Sequence, residues 1–559
     1  MCADRSMKEP VNVVQALAQA LALAGVRRMF GVPGGGSSLD LIEAAAALGI
    51  DFVLTKTENA AVMMAGAMAE SSGVPGVAIM TKGPGLANGA NGVAYASLDR
   101  APVLVVTDGF TPGQLEYITH QVFDQEAVLA PLVKGHSRLD GADPRAEIGR
   151  LIALACTPPL GPVHVELTGE VARRLVAEPG PVGPGAFTAR AEVGIAGGRD
   201  LDAIALERLE RIRARIAVAH RPVVVLGLEA RLHAPEVRRL VATLGCPVLV
   251  SYKAKGVVPD SDPQVVGLFT GGAQEQECIA QSDLMVLVGL DPVEMILQPW
   301  PYRKAVVEIA AAAHVVNYVL PETSVAGPLG AALVFLDQGL CDYRSDWSLD
   351  AMDRLRQKAR AQLAYRKVER GVAPDRVVQL TAAACAQQGI APRMSVDAGA
   401  HMFSATAFFP CARPGDSLIS NGLATMSFAL PAAIAASLDD RSQPVICFTG
   451  DGGLMMCLGE LCTAVEVGAR VVVIVFNDSA LSLIDIKQQS RKLPSRGVRW
   501  QQHDFAGIMQ ALGGSGFKAS DESGFMVAIQ TALNGDRPCL IDVLVDPVGY
   551  PQQLKAMRG

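Results

Sequence analysis

The 559-residue sequence has little that would take it to a membrane or to nucleic acid. No apolar run reaches membrane-spanning length without interruption, and no basic-plus-apolar leader opens it. A net charge of −7 argues against nucleic acid or an anionic membrane as partner. A cytoplasmic protein is the expectation. The eleven cysteines show no paired metal-ligand spacing, so they read as buried free thiols in a reducing compartment. No Gly-x-Gly-x-x-Gly follows a first strand with an acidic residue about twenty positions on, which leaves a nicotinamide dehydrogenase weakly supported. Low-complexity tracts and short repeats are missing too.

What is there is a large apolar interior. Half of the residues are hydrophobic and 19% are charged, and the length exceeds what one core sustains. Short apolar runs such as Arg28–Val32, Asp51–Leu54, Val77–Thr81 and Val103–Thr107 alternate with helical periodicity. That alternation predicts an α/β fold of three doubly wound domains with mainly parallel sheets. The expected first domain is 1–177, followed by a linker dense in Pro and Gly at 178–200. A central domain is expected at 201–345, a connecting helical segment at 346–373 and a third domain at 374–559.

The stretch 444–484 organises the rest. Val445–Thr449 reads as a buried strand that stops at Gly450-Asp451-Gly452-Gly453. One helix is expected from Leu454 to Val467, carrying both Cys457 and Cys462 and ended by Gly468. Val471–Phe476 is a second buried strand, closed by Asn477-Asp478-Ser479. Strand, Gly-rich turn, helix and strand together require a parallel pair with a right-handed crossover. Glycines admit a ligand close to the backbone, and a carboxylate and an amide oxygen at neighbouring strand tips suit Mg²⁺ and a diphosphate. Gly-Asp-Gly is also an ordinary turn.

The spacing separates the two readings. Gly450-Asp451-Gly452, then twenty-four residues, then Asn477 resembles the signature of thiamin-diphosphate enzymes. The resemblance implies that Asp451, the Asn477 side chain and the main-chain oxygen of Ser479 bind Mg²⁺; Asp478 replaces the family's second Asn. Phe30-Gly31-Val32-Pro33-Gly34, Gly83-Pro84-Gly85 with Asn88 and Gly92, Gly161–Val165, Asn421–Met426 and Leu430–Ala433 carry it along nearly the whole chain. These segments are similar to the acetolactate-synthase-like branch. The resemblance implies a pyrimidine-binding first domain, a central domain, and a third domain that binds the diphosphate and Mg²⁺. In the first domain it implies cofactor contacts at Gly34, Gly83, Pro84 and Asn88. In the third they fall at Gly399, Ala400 and His401, at Leu423, Thr425 and Met426, at Gly450 to Gly453, and at Asn477, Ser479, Ala480 and Leu481.

Glu58 carries the activation chemistry that the resemblance implies. A glutamate at the start of this helix bonds a pyrimidine nitrogen in the family, which makes the neighbouring amine acidic enough to become an imine that deprotonates the thiazolium carbon. A glutamate there also complements a helix dipole. In the family Glu58 and the diphosphate site come from different subunits, so a dimer or tetramer with active sites at the subunit interface is implied. Gln121, thirteen residues before Lys134, aligns with the family glutamine facing the thiazolium: an oxyanion donor, or a solvated loop residue. His120 and His401 are candidates for a direct role and equally readable as structural hydrogen-bond partners. Met426 is expected beneath the cofactor, and a plain core Met is its bland alternative.

The reaction implied is attack of the ylide on a 2-oxo acid, loss of CO₂, and an enamine that is protonated or captured by an acceptor aldehyde or ketone. Three departures qualify it. Lys82 stands where the branch has a small polar residue, and Lys487 where authentic synthases have a tryptophan; both could recognise a carboxylate or be solvated. Gly289-Leu290-Asp291-Pro292-Val293-Glu294 lacks the arginine-phenylalanine-aspartate-aspartate run associated with flavin binding, so FAD is not expected and the biosynthetic synthase is not the first reading. The alternative is a benzaldehyde-lyase-like hydroxyketone lyase without decarboxylation, to which Phe123–Glu126 through Lys134 bears a loose likeness. A non-catalytic cofactor-binding paralogue is disfavoured by Glu58, Asp451 and Asn477.

Overall fold

A computed structural model describes residues 10–176, 201–295, 299–314, 318–365 and 368–558. The linker expected at 178–200 lies outside the described residues. The chain divides into two compact units, Met1–Ala196 and Gly197–Gly559.

The first unit holds one six-stranded sheet. Its strands are β1 (Arg28–Val32), β2 (Asp51–Leu54), β3 (Gly76–Met80), β4 (Val103–Asp108), β5 (His136–Ser137) and β6 (Val163–Leu167), in the order β2-β1-β3-β4-β6-β5. Every pair is parallel, and β3, β4 and β6 are buried along their whole length. Such strands are covered on both faces, which is why they read as continuous Val/Ile runs. Helix Glu58–Ser72 starts where the Thr57 hydroxyl accepts from Ala60 N at 3.2 Å and ends at left-handed Gly73. Its neighbour Pro84–Leu98 presents Gly85, Gly89 and Gly92 to it; a methyl group at Gly92 would fall 2.7 Å from Val62 Cβ. Small residues at this spacing let the two helices close on each other and bring Glu58 against the start of the second.

The second unit holds two sheets. The central one comprises β7 (Pro222–Leu226), β8 (Val248–Val250), β9 (Val265–Leu268), β10 (Leu284–Val288), β11 (Ala305–Ala310) and β12 (Thr323–Ala326). Its order, β12-β11-β10-β7-β8-β9, is the doubly wound order of dinucleotide-binding sheets. The third comprises β13 (Met394–Val396), β14 (Ser417–Ile419), β15 (Val445–Gly450), β16 (Val471–Asn477), β17 (Ser515–Ala519) and β18 (Cys539–Leu544), in the order β14-β13-β15-β16-β18-β17. Both sheets are parallel throughout.

The central and third sheets share one buried apolar cluster, and polar contacts add to that seam. Asp260 pairs with Lys255 and accepts from Cys411 N at 2.9 Å. The last helix, Tyr550–Arg558, accepts from Thr270 Oγ1 at the Met557 carbonyl, and its Gln553 donates to Leu363 O and Ser404 Oγ.

One expected element is corrected. The single helix over 454–467 is two, Asp451–Met456 and Glu460–Glu466. Cys457 N closes the first on Leu454 O, and Gly459 begins the second; three glycines within eight residues leave too little helix propensity to bridge the gap. Cys457 and Cys462 therefore lie on either side of the break. All ten described cysteines are free, seven of them buried. Among the described residues no helix is long and apolar enough to cross a membrane.

Candidate active site

The tips of β15 and β16 are adjacent because the two strands pair from Val445↔Val471 to Gly450↔Phe476. Asp451 follows directly and is 2% exposed. Its Oδ1 accepts from Gly452 N and its Oδ2 from Ser479 N, both at 2.8 Å. Ser479 reaches it by adopting a left-handed φ of +59°, a costly conformation for a residue with a side chain. Asn477 is buried beside it, and its Nδ2 donates to Asp542 Oδ1 at 2.9 Å. An ionised carboxylate only accepts, so this contact leaves the Asn477 oxygen turned the other way.

Charge at this point is unbalanced. Burial, the neighbouring Asp478 and then Asp542 push the Asp451 carboxyl up to about 7, and burial lifts Asp478 to about 6. No lysine or arginine pairs with Asp451 among the described residues. Buried carboxylates without a counter-charge want a cation. One carboxylate, one amide oxygen and the Ser479 carbonyl, which otherwise meets only Trp500 N at 3.2 Å, are a donor set that fits Mg²⁺. No group of three His, Cys, Asp or Glu side chains able to hold a metal occurs among the described residues, so a site here must use oxygen donors of this mixed kind.

The glycines of the turn are set by what backs them. A methyl group at Gly453 would lie 2.3 Å from Asp397 Oδ2, and one at Gly452 would lie 2.9 Å from Leu481 Cδ2 and 3.2 Å from the Trp500 ring. Asp397 is fully buried and accepts from Phe428 N, Ala429 N and the Thr449 hydroxyl, so one carboxylate ties the Gly450–Gly453 turn to the loop that carries Leu423, Thr425 and Met426. Met426 is half-buried rather than sealed in a core. Gly399 and Ala400 follow β13, and His401 opens the helix His401–Phe408. Its ring stacks on Phe476 at 5.3 Å, burial drives its pKa down to about 3, and its Nε2 has no hydrogen-bond partner among the described residues. Ala480 is buried, and Leu481 N donates to Val498 O at 2.8 Å.

In the first unit Glu58 is half-buried, and Asn88 Nδ2 donates to its Oε2 at 2.5 Å. Gly85 brings its backbone near the other oxygen: a methyl group there would be 3.3 Å from Oε1. Gly34 sits against Thr81 and Asp108, and Asp108 accepts from Ser38 N and the Ser37 hydroxyl. Gly83 has φ +67° and precedes Pro84, the first residue of its helix. Gln121 packs its main chain against Gly83 while its side chain is exposed, and His120 is exposed. Lys134, the spacing anchor, donates to Leu154 O and Thr157 O at a helix end.

Four supporting residues were missed. Gln125 is buried, donates to Asp108 O at 3.0 Å and accepts from Gly83 N at 3.2 Å; nothing in the sequence distinguishes it from other loop glutamines. Asp397 stands in a segment already singled out for His401. Trp500 covers Gly452 from far along the chain. Asp542, a lone charge inside the apolar run 539–545, was the one legible signal, because a buried charge needs a partner.

Three profiles of one family match the chain. They are the thiamine pyrophosphate enzyme N-terminal TPP binding domain over residues 11–128, the central domain over 209–336 and the C-terminal TPP binding domain over 397–543. The acetolactate synthase isozyme 3 large subunit of Escherichia coli (strain K12) is 26% identical over 572 residues, covering 98% of this chain and 97% of its own. The catabolic acetolactate synthase of Raoultella terrigena is 28% identical over 549 residues, covering 94% and 93%. A putative thiamine pyrophosphate-containing protein, YdaP, of Bacillus subtilis (strain 168) is 24% identical over 551 residues, covering 95% and 91%. Three parallel sheets in the order of those three domains, with a buried acid and amide at adjoining strand tips, place the chain in the thiamine pyrophosphate enzyme family, as an acetolactate-synthase-like enzyme that makes or breaks carbon–carbon bonds.

Proposed function

We propose that the chain is a flavin-independent, thiamin-diphosphate- and Mg²⁺-dependent lyase or carboligase acting on a 2-oxo acid, and not the biosynthetic synthase. The observation that carries this reading is Asp451: a buried acid without a basic partner among the described residues, at the strand tip beside the one that ends in buried Asn477. Asp451, Asn477 and the Ser479 carbonyl would hold the metal, and the Gly450–Gly453 backbone would lie along the diphosphate. Thiamin diphosphate, when bound, supplies an acidic carbon and a place for the electrons released when a carbon–carbon bond breaks.

The chain's own residues do the rest. Glu58 holds or moves a proton at the carboxyl oxygen that Asn88 leaves open, with the amide fixing its rotamer. His401, kept neutral by burial, lies beside Gly450 with its Nε2 unpartnered among the described residues, and would be open to a cofactor contact. Met426, on a loop pinned by Asp397, supplies an apolar support. Gln121 is exposed and free to donate to an oxyanion. Exposed Met455 and Met456 beside the Asp451 turn, and Tyr117 and Phe123 in the first unit, support self-association, with active sites at the subunit interface. The free buried thiols support a cytoplasmic location.

The packing of the central sheet supports the flavin-independent reading. Glu294 Oε2 accepts from Leu228 N at 2.7 Å, just after β7, and its other oxygen meets the Ser251 hydroxyl after β8. Gly227 and Gly289 close the same point so tightly that a methyl group at Gly227 would lie 2.2 Å from Leu290 Cα. The chain thus sets a buried carboxyl of its own beside the strand ends where a dinucleotide would approach this strand order. The test is calorimetric uptake of thiamin diphosphate with and without Mg²⁺, followed by a panel of 2-oxo acids and ketols scored for CO₂ and aldehyde. Uptake that needs Mg²⁺, with CO₂ from at least one 2-oxo acid, is expected; ketol cleavage without CO₂ from any 2-oxo acid would select the hydroxyketone lyase.

A further inference from the structure

The wiring of the first sheet reverses between β1 and β3: β2 lies on one side of β1, and β3 and β4 lie on the other. In open parallel sheets, ligands settle outside the carboxyl ends of the strands flanking such a point. Here the flanking loops are Pro33–Gly36 and Thr81–Gly83, so close that a methyl group at Gly34 would fall 2.3 Å from Thr81 Oγ1. Lys82 stands in the middle of the second loop. Its backbone is fixed by Gly83 N donating to Gln125 Oε1 at 3.2 Å and by the Gln121 main chain closing on Gly83. Its half-buried ammonium lies 4.6 Å from the Phe110 ring centroid, a cation–π contact that positions the charge without neutralising it.

The carboxylates of this edge are already engaged. Glu58 accepts from Asn88, Asp108 from Ser37 and Ser38, and Asp124 from Ala127 N. Glu166 lies 3.8 Å from Arg138, and Glu126 lies 3.3 Å from His136. Lys82 makes no ion pair among the described residues, so its charge is left to face a ligand at this position of its sheet. The free N–H groups opening the fifteen-residue helix Pro84–Leu98 add partial positive charge beside it.

Resting on the function proposed above, we propose that Lys82 is a specificity-determining residue that binds a carboxylate the reaction retains. An ammonium paired with the departing carboxylate would stabilise charge that vanishes as CO₂ leaves, favouring the ground state over the transition state. The retained group is the second acid of a dicarboxylic 2-oxo acid donor, or the carboxylate of a 2-oxo acid acceptor.

Two paired assays distinguish these sources in wild type, Lys82→Met and Lys82→Arg. One compares 2-oxoglutarate with 2-oxopentanoate as donor, and the other compares pyruvate with acetaldehyde as acceptor for a common donor. In one pair, Lys82→Met is expected to lower kcat/KM for the charged member about 10- to 100-fold more than for the neutral one, chiefly through KM, while Lys82→Arg keeps most of the preference. Calorimetric titration of the thiamin-diphosphate-loaded protein with glutarate and with pentanoate reads the anion site without turnover. Equal losses on both members of each pair, or glutarate binding wild type and Lys82→Met alike, overturn the proposal. Absence of CO₂ and ketol products with the cofactor bound counts instead against the proposed function, and the glutarate titration still decides the role of Lys82.

Discussion

The first and third sheets are wired alike and equipped differently. Counted from its own first strand, each runs 2-1-3-4-6-5. The turn after the third strand of one carries Lys82, and the turn after the third strand of the other carries Asp451. After the fourth strand, one ends in Asp108, spent on Ser37 and Ser38. The other ends in Asn477, whose amide donates to Asp542 and whose oxygen meets only a long 3.5 Å contact from the Ser479 hydroxyl among the described residues. Topology thus chooses where a ligand can be met, and single side chains decide whether that place is a cation, an anion or a capped helix.

The sharpest way to break the comparison is to change one side chain at a time and ask which property moves. Glu58→Gln should lower kcat by about 10²- to 10⁴-fold, as loss of a positioned acid–base does, while thiamin diphosphate affinity moves little. Stopped-flow turnover beside calorimetry checks it. Asp451→Ala should do the converse, weakening Mg²⁺-dependent cofactor uptake on the order of 100-fold, read from the same titration. If both variants lost binding equally, the division of labour between the two sheets would be wrong.

Glycine substitutions sharpen the contrast at the level of packing. Gly453→Ala must push against Asp397, 2.3 Å away, and should cost about 1–3 kcal/mol in urea unfolding. The central sheet serves as control, because at the equivalent strand ends it carries the buried Glu294, held by Leu228 N and the Ser251 hydroxyl. Burial raises Glu294 from an ordinary carboxyl value to about 8, so the stability its neutral form gives is full below about 4.5 and lost as pH climbs through about 8. Glu294→Gln keeps an acceptor for Leu228 N and should raise Tm at pH 9 by a few °C relative to wild type, with little change at pH 5. Any alkaline loss that persists belongs to the other buried acids raised in the same direction, among them Glu275 and Asp451, each to about 7. Smallest of all, Gly35→Ala meets nothing within 4 Å and should stay within about 0.5 kcal/mol of wild type in the same urea experiment.

The parallel strands were legible because strands buried on both faces must be continuous apolar runs, and each expected strand lies within a residue or so of an observed one. Asp451 and Asn477 stood out because the twenty-four residues between Gly450-Asp451-Gly452 and Asn477 match the family's signature, whereas Gly-Asp-Gly alone is an ordinary turn. The helix break at 457–459 was passed over because the spacing of apolar residues continues across it, which outweighed the low helix propensity of the glycines around it. Gln125 and Asp397 were hidden for another reason. Their value lies in partners 17 to 52 residues away, and a sequence read locally has no way to pair them. The seam between the central and third sheets was missed likewise, since a nine-residue helix at the end of the sequence supplies much of it.

That helix sets the order in which the molecule can be finished. Thr270 and Gln553 find their partners only through residues 553–557, so a nascent chain emerging from the ribosome has both later sheets in hand before it has the stitch that joins them. A cut that removed Tyr550–Arg558 would take that stitch away and leave the seam to the buried apolar cluster and the Asp260–Cys411 contact.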